Sequence, residues 1–411
     1  MSGGDTPGGG NGKKPRTGGA DWANTTKCST EAGDAAELVA LLDTLTTARP
    51  GIDLDAFLVL LAIVTNARLR STVPLWLMLI APPSFGKTSM LDLVAKCGSA
   101  QAPIQFLSSL TEAGLLTGSP RREWAAEATG GVLKSIKPDM HGLLFLPDLS
   151  GLLGMANEKR TAVLAAFRHV HDGEYARALG ADGAATVQWR GRVSVVAAGT
   201  PGVDRHQRVE AELGDRFVRI RLAEVDEDAQ ARAALRGVPI DELAKQVARF
   251  VDEQLAGDVG PRGVDEDLLV DLARFAARLR SAVLRDGKTR DIIARPVPEA
   301  PARLVKVMNT LDAALSRIGC GSATRCRVAL RIALDSASPV RRDIVLALAK
   351  SDTGALATTK LMAATGVAET TTKRACQDLQ ALGLLAEEHQ AGDAWRLDPE
   401  WAAVLARLLT P

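Results

Sequence analysis

The sequence is poor in cysteine and in aromatic residues. It has five cysteines, and only 4% of its residues are Phe, Trp or Tyr. The cysteines are Cys28, Cys97, Cys320, Cys326 and Cys376. No two of them form a C-x-x-C pair, which excludes the zinc sites that are built from such pairs. An odd number of scattered cysteines is typical of thiols that stay reduced, so we expect a cytoplasmic protein.

The sequence also lacks a long apolar run and an excess of charge of either sign. Its longest apolar stretches, 56–64 and 74–81, are well short of the ~20 residues of a membrane helix, and no signal-peptide core is present. Fifty basic residues balance forty-nine acidic ones. No global field therefore attracts the chain to nucleic acid or to a membrane. We expect no membrane partner, and any attraction to nucleic acid has to be local.

Changes in composition divide the 411 residues into five parts. They are a disordered glycine-rich tail (1–30), N-terminal helices (31–70), a core of alternating strands and helices (71–224), a helical segment (225–335) and a small C-terminal domain (336–411). Strands are predicted at 75–81, 104–107, 143–146 and 193–198, and longer helices at 158–170, 240–255, 265–284 and 302–318. Strands that alternate with helices predict an α/β fold with a parallel sheet.

The motif APPSFGKT at 81–88 stands between a predicted strand and a helix predicted at 89–95. A loop in this position directs backbone N–H groups and a helix N-terminus toward phosphate oxygens. Lys87 is then placed to neutralise the β and γ phosphates of ATP, and Thr88 to bind Mg2+ through its hydroxyl. Pro82 and Pro83 lack N–H donors, so the cradle has to come from the residues that follow them. The predicted nucleotide-binding residues are Ser84, Phe85, Gly86, Lys87, Thr88 and Ser89.

Three polar residues near predicted strand ends are candidates for hydrolysis. Asp148 follows the strand at 143–146 and is the predicted Mg2+ residue, with a simple strand-end role as the alternative. Leu149 and Ser150 come next, where many ATPases place a catalytic Glu. Glu112 is therefore the candidate base, although a Glu that caps a helix is an equal alternative. Thr200 could direct its hydroxyl at the γ-phosphate or could be a turn residue before proline.

This order of motifs resembles the AAA+ superfamily of P-loop ATPases. The resemblance rests on the loop, the Asp-terminated strand, the polar end of a third strand and an arginine before the alternating segment FVRIRL at 217–222. It implies that Arg216 acts as a finger that completes the site of a neighbouring subunit, and hence a homo-oligomer, in most cases a ring. It also implies a helical lid, from which Arg303 reaches the bound phosphates. A solvated helix position is the alternative for Arg303.

Residues 75–222 are also similar to ATPases of phages and integrative elements. The similarity lies in 143–149, in VHDGE at 170–174 and in 189–201. It implies a helicase or replication-initiation protein of mobile DNA. Because the residue after Asp148 is not Glu, the mechanism of hydrolysis departs from the common pattern.

The C-terminal domain resembles the winged helix-turn-helix family. Helices at 344–349, 361–364 and 369–382 are followed by strand-like segments at 383–385 and 394–397, with a polar turn at 390–393, which suggests a two-strand wing. In that family the third helix enters the DNA major groove. The residues that this places on DNA are Thr370, Thr371, Thr372, Lys373 and Arg374. Residues 336–411 have eight Lys or Arg against nine Asp or Glu, so protein docking stays open as an alternative.

Two functions therefore compete. The first is an ATP- and Mg2+-dependent AAA+ ATPase that translocates along or remodels DNA, such as a replication helicase or initiator of a mobile element. The second is a nucleotide-switched DNA-binding regulator or assembly protein that unwinds nothing. DNA-stimulated turnover distinguishes the first from the second.

Overall fold

The structure is a computed structural model that describes residues 33–116, 130–178, 186–206, 216–223, 239–257, 264–387 and 394–409, with a few isolated residues between 228 and 237. The tail predicted at 1–30 lies outside these residues. Among the residues described, no helix is long and apolar enough to span a bilayer.

Two helices precede the sheet, as the spacing of apolar residues predicted. Helix α1 (Ala36–Ala48) buries one face, and helix α2 (Leu54–Arg68) is buried along most of its length. At the start of α2 the carboxylate of Asp53 accepts a hydrogen bond from the amide of Ala56 (3.1 Å). This cap satisfies one of the unpaired donors in the first turn. Helix α2 packs against the strands of the sheet and is therefore part of the core.

The core is a parallel sheet. Its strands are β1 (Trp76–Ile80), β2 (Ile104–Phe106), β3 (His141–Leu146), β6 (Arg192–Gly199) and β7 (Phe217–Arg221), in the order β2-β3-β6-β1-β7. Trp76 is in register with Val195 on one side and with Phe217 on the other. The carboxyl ends of the strands therefore meet at one edge. Strand β1 lies between β6 and β7 and is buried on both faces, which explains its continuous apolar run. The predicted α/β fold is confirmed.

Helices cover both faces of the sheet, and a hairpin extends from it. The helices are α3 (Lys87–Val94), α4 (Glu112–Leu115), α5 (Ser150–Leu153) and α6 (Asn157–His171). The hairpin pairs β4 (Glu174–Ala178) with β5 (Thr186–Arg190) and was not predicted. Tyr175 and Trp189 are in register and both buried. The alternation of large apolar and polar residues in these strands is the signal that sequence reasoning missed.

A group of helices follows the sheet, as predicted. It contains α7 (Ile240–Ala256), α8 (Glu266–Arg280), α9 (Ala302–Arg317) and α10 (Ser322–Asp335). Helix α8 ends at Arg280, short of the predicted end at 284, because Ser281 has an extended backbone (ψ 140°). Helix α10 was not predicted, because buried arginines such as Arg325 and Arg331 interrupt its apolar pattern.

The C-terminal part consists of short helices and a small antiparallel ladder. The elements are α11 (Pro339–Ala349), β8 (Ala355–Ala357), α12 (Thr358–Thr365), α13 (Glu369–Ala381), β9 (Ala394–Arg396) and α14 (Pro399–Ala406). Strand β9 pairs with β8 and also forms a bridge through Leu397 to Leu385. The three predicted helices are present. Strand β8 was not predicted. It forms the ladder with β9 that the sequence assigned to residues 383–385, of which only Leu385 forms a bridge.

Three of the described cysteines, Cys97, Cys320 and Cys376, are free and buried. Burial raises the pKa of Cys97 and of Cys376 to about 12, so both thiols stay protonated near neutral pH.

Candidate nucleotide site

The predicted phosphate-binding loop connects β1 to α3 at the carboxyl edge of the sheet. The amide of Ala81 donates to the carbonyl of Gly199 at the end of β6 (3.1 Å). Ser84 (φ +66°) and Gly86 (φ +78°) both have a left-handed backbone. Glycine adopts this conformation freely, whereas Ser84 is strained in it, and such strain is concentrated at functional sites. The sequence therefore folds here into a tight and specific turn.

Helix α3 begins at Lys87, two residues before its predicted start. The amides of Lys87, Thr88 and Ser89 accordingly belong to its first turn and have no carbonyl partner within the helix. The first amide to bond back is that of Met90, which donates to the carbonyl of Gly86 (2.9 Å). Unpaired N–H groups at the positive end of a helix dipole are well suited to binding an anion.

Lys87 lies folded over its own loop. Its ammonium donates to the carbonyls of Ala81 (2.6 Å) and Pro82 (2.7 Å). Partial burial lowers the pKa of Lys87, and the charge of Asp148 opposes that shift. Lys87 and Asp148 therefore lie within electrostatic range of each other.

Asp148 and Thr200 lie at the same edge as the loop. Strand β3 ends at Leu146, and the amide of Leu149 donates to the carbonyl of Ala198 in β6 (2.8 Å), which fixes the segment that carries Asp148. The carboxylate of Asp148 is exposed and accepts one hydrogen bond, from the amide of Ser150 (2.8 Å). Thr200 directly follows the end of β6. Three adjacent strands, β3, β6 and β1, are thus followed by Asp148, Thr200 and Lys87 respectively.

Glu112, the candidate base, is engaged elsewhere. Its carboxylate accepts a hydrogen bond from the hydroxyl of Tyr175 (2.9 Å) and lies 3.5 Å from Nε of Arg177 on the hairpin. Burial, and then the hydrogen bond to Glu112, raise the pKa of Tyr175 to about 12. The helix cap is supplied by Thr111, whose hydroxyl accepts from Gly114 (3.0 Å). The structure places Glu112 in the hairpin contact and shows no bond between it and the loop.

Arg216 is buried at the opposite edge of the sheet. It precedes Phe217, which is in register with Trp76, the first residue of β1. Its guanidinium contacts Asp172 (3.0 Å), and only 6% of its side chain is exposed. Burial lowers the pKa of Arg216, and Asp172 opposes that shift. In the single chain the predicted finger is therefore held in an ion pair, and its role in a neighbouring subunit stays a prediction.

Arg303, at the start of helix α9, lies within electrostatic range of Arg216. Its charge acts on Arg216 and on His171, a partly buried side chain that packs against Trp76. Burial, with Arg216 and Arg303 contributing, lowers the pKa of His171 to about 4 against the opposing effect of Asp172. These groups surround the start of β1, whereas the loop follows its end, about 13 Å away at ~3.3 Å per residue. The predicted approach of Arg303 to bound phosphates stays a prediction.

Sequence reasoning missed Arg49, which follows helix α1. Its Nη2 atom lies 3.8 Å from the position that a Cβ on Gly86 would occupy. No motif marks this arginine, because its proximity to the loop depends on how α1 packs. The only signal in the sequence was the presence of a cation in a largely apolar helical segment.

Sequence reasoning also missed a network of buried ion pairs beside the site. Arg221, the last residue of β7, forms two hydrogen bonds with Asp204 (2.7 and 2.9 Å), which lies four residues after Thr200. Its guanidinium also donates to the carbonyl of Ala337 (2.7 Å), and its amide donates to Asp335 (2.9 Å). Asp335 in turn accepts from Arg342 of helix α11 (3.1 Å). The network connects the turn after β6 to the start of the C-terminal part.

The predicted DNA-binding residues do not all face solvent. Thr370, Thr371 and Arg374 are exposed on helix α13, and Lys373 forms an ion pair with Glu369 (2.8 Å). Thr372 differs from these, because it is fully buried and its hydroxyl donates to the carbonyl of Ala368 (3.2 Å). Its assignment to a DNA surface is therefore wrong, since the helical period turns this position toward the core.

No protein-family model matches the chain, and no curated protein matches it. One similar solved structure is described as a "putative ATPase" from Cytophaga hutchinsonii. It shares 14% sequence identity over 67% of this chain and 77% of that chain, with a TM-score of 0.35. A similarity of this size carries no argument about function, which therefore depends on the residues of the site.

Proposed function

We propose that this protein is an ATP- and Mg2+-dependent ATPase that acts on DNA. The observation that carries the proposal is the convergence of Lys87, Asp148 and Thr200 with the free amides of α3 at the carboxyl edge of the sheet. Ligands of α/β proteins bind at this edge, and phosphates bind at the N-termini of helices. In this role Lys87 leaves the carbonyls of Ala81 and Pro82 to bind the β and γ phosphates.

The residues beside the loop fit Mg2+. Within the described residues no group of three or more His, Cys, Asp or Glu could hold a metal by itself. Mg2+ bound to ATP does not need such a group, because phosphates and water supply most of its ligands. Thr88 and Asp148 would hold the ion, which neutralises charge on the transferred phosphoryl group. In this proposal the hydroxyl of Thr200 orients the attacking water.

The proposal for DNA rests on the C-terminal elements. The order α11, β8, α12, α13 and β9, with β8 paired to β9, is similar to that of winged helix-turn-helix domains. Helix α13 exposes Thr370, Thr371 and Arg374 on one face. Hydroxyl and guanidinium groups at the N-terminal half of such a helix are suited to bases and phosphates.

Turnover with and without DNA tests the proposal. Purified protein is expected to bind ATP and to hydrolyse it faster with single- or double-stranded DNA. Lys87→Ala should lose binding, whereas Asp148→Asn should retain nucleotide but lose most hydrolysis, because Mg2+ is poorly positioned. Arg190→Ala, an exposed change on the hairpin, is the control.

The outcomes separate the candidate functions. Wild-type turnover in Lys87→Ala would refute the nucleotide site. Slow ATP turnover that DNA does not change would favour the nucleotide-switched regulator. The absence of a Glu directly after Asp148 also favours that function. Strand displacement on a forked substrate would identify a helicase.

A further inference from the structure

Arg49 places a second cation against the loop. Arg49 directly follows the last residue of helix α1, and its amide donates to the carbonyl of Leu45 (2.7 Å). Its side chain extends to the loop, where Nη2 is 3.8 Å from the position of a Cβ on Gly86. The guanidinium is therefore next to the residue that precedes the free amides of helix α3.

One nitrogen of this guanidinium has no acceptor. Nη1 of Arg49 is buried and has no hydrogen-bond partner among the residues described. Burial lowers the pKa of Arg49, and the charge of Asp92 in helix α3 only opposes that shift. A buried charged donor without an acceptor is costly, and such a group calls for an explanation, of which an absent anion is one.

The composition of the loop supplies the explanation. Pro82 and Pro83 remove two N–H groups from the cradle, so the loop offers fewer donors than a glycine-rich one. A guanidinium provides several donors in a fixed planar arrangement that matches phosphate oxygens. Arg49 can therefore replace donors that the two prolines lack.

We propose that Arg49 is a further nucleotide-binding residue, which donates from its guanidinium to a phosphate group of the bound nucleotide. This inference rests on the proposed ATP site. It assigns to the N-terminal helices a direct part in that site. It also predicts that Arg49 recognises the phosphates of the nucleotide and not its base.

Titration calorimetry with ATP, ADP and adenosine tests the inference on the full chain. A hydrogen bond to a charged group is worth ~1.5–3 kcal/mol, so Arg49→Ala should weaken ATP and ADP binding by about ten- to a hundred-fold. Adenosine binding should not change, because adenosine has no phosphate. Arg49→Lys keeps the charge but not the planar geometry, so it should recover part of the loss.

Two controls keep the result interpretable. Arg190→Ala removes the same charge from the exposed hairpin and should leave all affinities unchanged. Thermal unfolding of Arg49→Ala shows whether the arginine only attaches α1 to α3 near Asp92. In that case the melting temperature falls, ATP affinity at a temperature where the variant is folded equals that of the wild type, and the inference is overturned.

The remaining outcomes are distinct. An equal loss for adenosine and ATP would place Arg49 on the base and overturn the phosphate assignment. If the wild-type chain binds none of the three ligands, the proposed function fails and this inference falls with it. If the wild type binds ATP and Arg49→Ala binds it equally well, only the inference about Arg49 fails.

Discussion

Asp53 joins three parts of the molecule, and we expect its removal to be costly. Its carboxylate accepts from the amides of Ala56 (3.1 Å) in α2 and Ala223 (2.9 Å) after β7. It also forms two hydrogen bonds with Arg331 of helix α10. Both side chains of this ion pair are less than a tenth exposed. One side chain thus connects the N-terminal helices, the sheet and the helical segment.

The expected loss follows from these contacts. Asp53→Ala removes a helix cap, worth ~1 kcal/mol, and breaks a buried ion pair, for which removal of one partner costs ~3–5 kcal/mol. Arg331 retains Asp335 (3.3 Å) and Asp55 (3.4 Å) as partners, so the lower part of that range applies. We expect the free energy of unfolding to fall by about 4 kcal/mol in total.

Denaturant unfolding followed by tryptophan fluorescence measures this loss. The matched control is Asp252→Ala, because Asp252 also pairs with an arginine, Arg68 (2.7 Å), but is 61% exposed. Exposed pairs contribute less than ~1 kcal/mol, so the control should change little. A loss below ~1 kcal/mol in Asp53→Ala would refute the reasoning that this buried pair is stabilising.

The pH dependence of a second variant, Asp53→Asn, gives a further check. Burial alone would raise the pKa of Asp53, but Arg331 and the two amides lower it below its ordinary value of 3.8. Protonation is therefore harder in the folded state than in the unfolded state, and the stabilisation is complete above the unfolded pKa. It is lost as the pH falls through the folded pKa. The difference between wild type and Asp53→Asn should thus shrink below about pH 4, and a difference that stays constant contradicts the prediction.

Three further predictions concern DNA, assembly and a buried thiol. Replacing Lys373 and Arg374 by Ala should lower the slope of log Kd against log salt by about two units, and an unchanged slope in a salt titration would indicate a protein partner. Arg216→Ala should still bind nucleotide but lose most ATP turnover. Mixing this variant with Lys87→Ala should restore part of the ATP turnover, and a mixture as inactive as its components would refute action in trans. Burial raises the pKa of Cys97 to about 12, so iodoacetamide should label this thiol only after the protein unfolds. Mass spectrometry detects the label, and rapid labelling of Cys97 in folded protein would contradict this prediction.

The sequence predicted strands β1, β2, β3 and β6 because their apolar runs need no context. The run at 143–146 is an example, although the strand begins earlier, at His141. A buried histidine starts this strand because it bonds to Ser194 (2.9 Å) and to the carbonyl of Ser71 (3.1 Å). Such partners are distant in the chain, so no local pattern predicts them.

The site was predicted in part for the same reason. Lys87 and Asp148 follow strand ends, which sequence patterns locate, and parallel strands bring their ends together. The positions of Arg303 and Arg49 depend on how helices pack on the sheet. Thr372 was misassigned because three consecutive threonines look alike in sequence, whereas the helical period buries one of them.

The ion pairs of Arg221 have a mechanical consequence. They attach the turn after Thr200 and the linker before helix α11 to one guanidinium, through Asp204 and the carbonyl of Ala337. A shift of the turn must either separate buried charges, at ~3–5 kcal/mol for each broken pair, or displace the linker as well. Displacing the linker together with the turn keeps both contacts of the Arg221 guanidinium. We therefore expect coupled motion of two segments, the turn after Thr200 and the linker before helix α11.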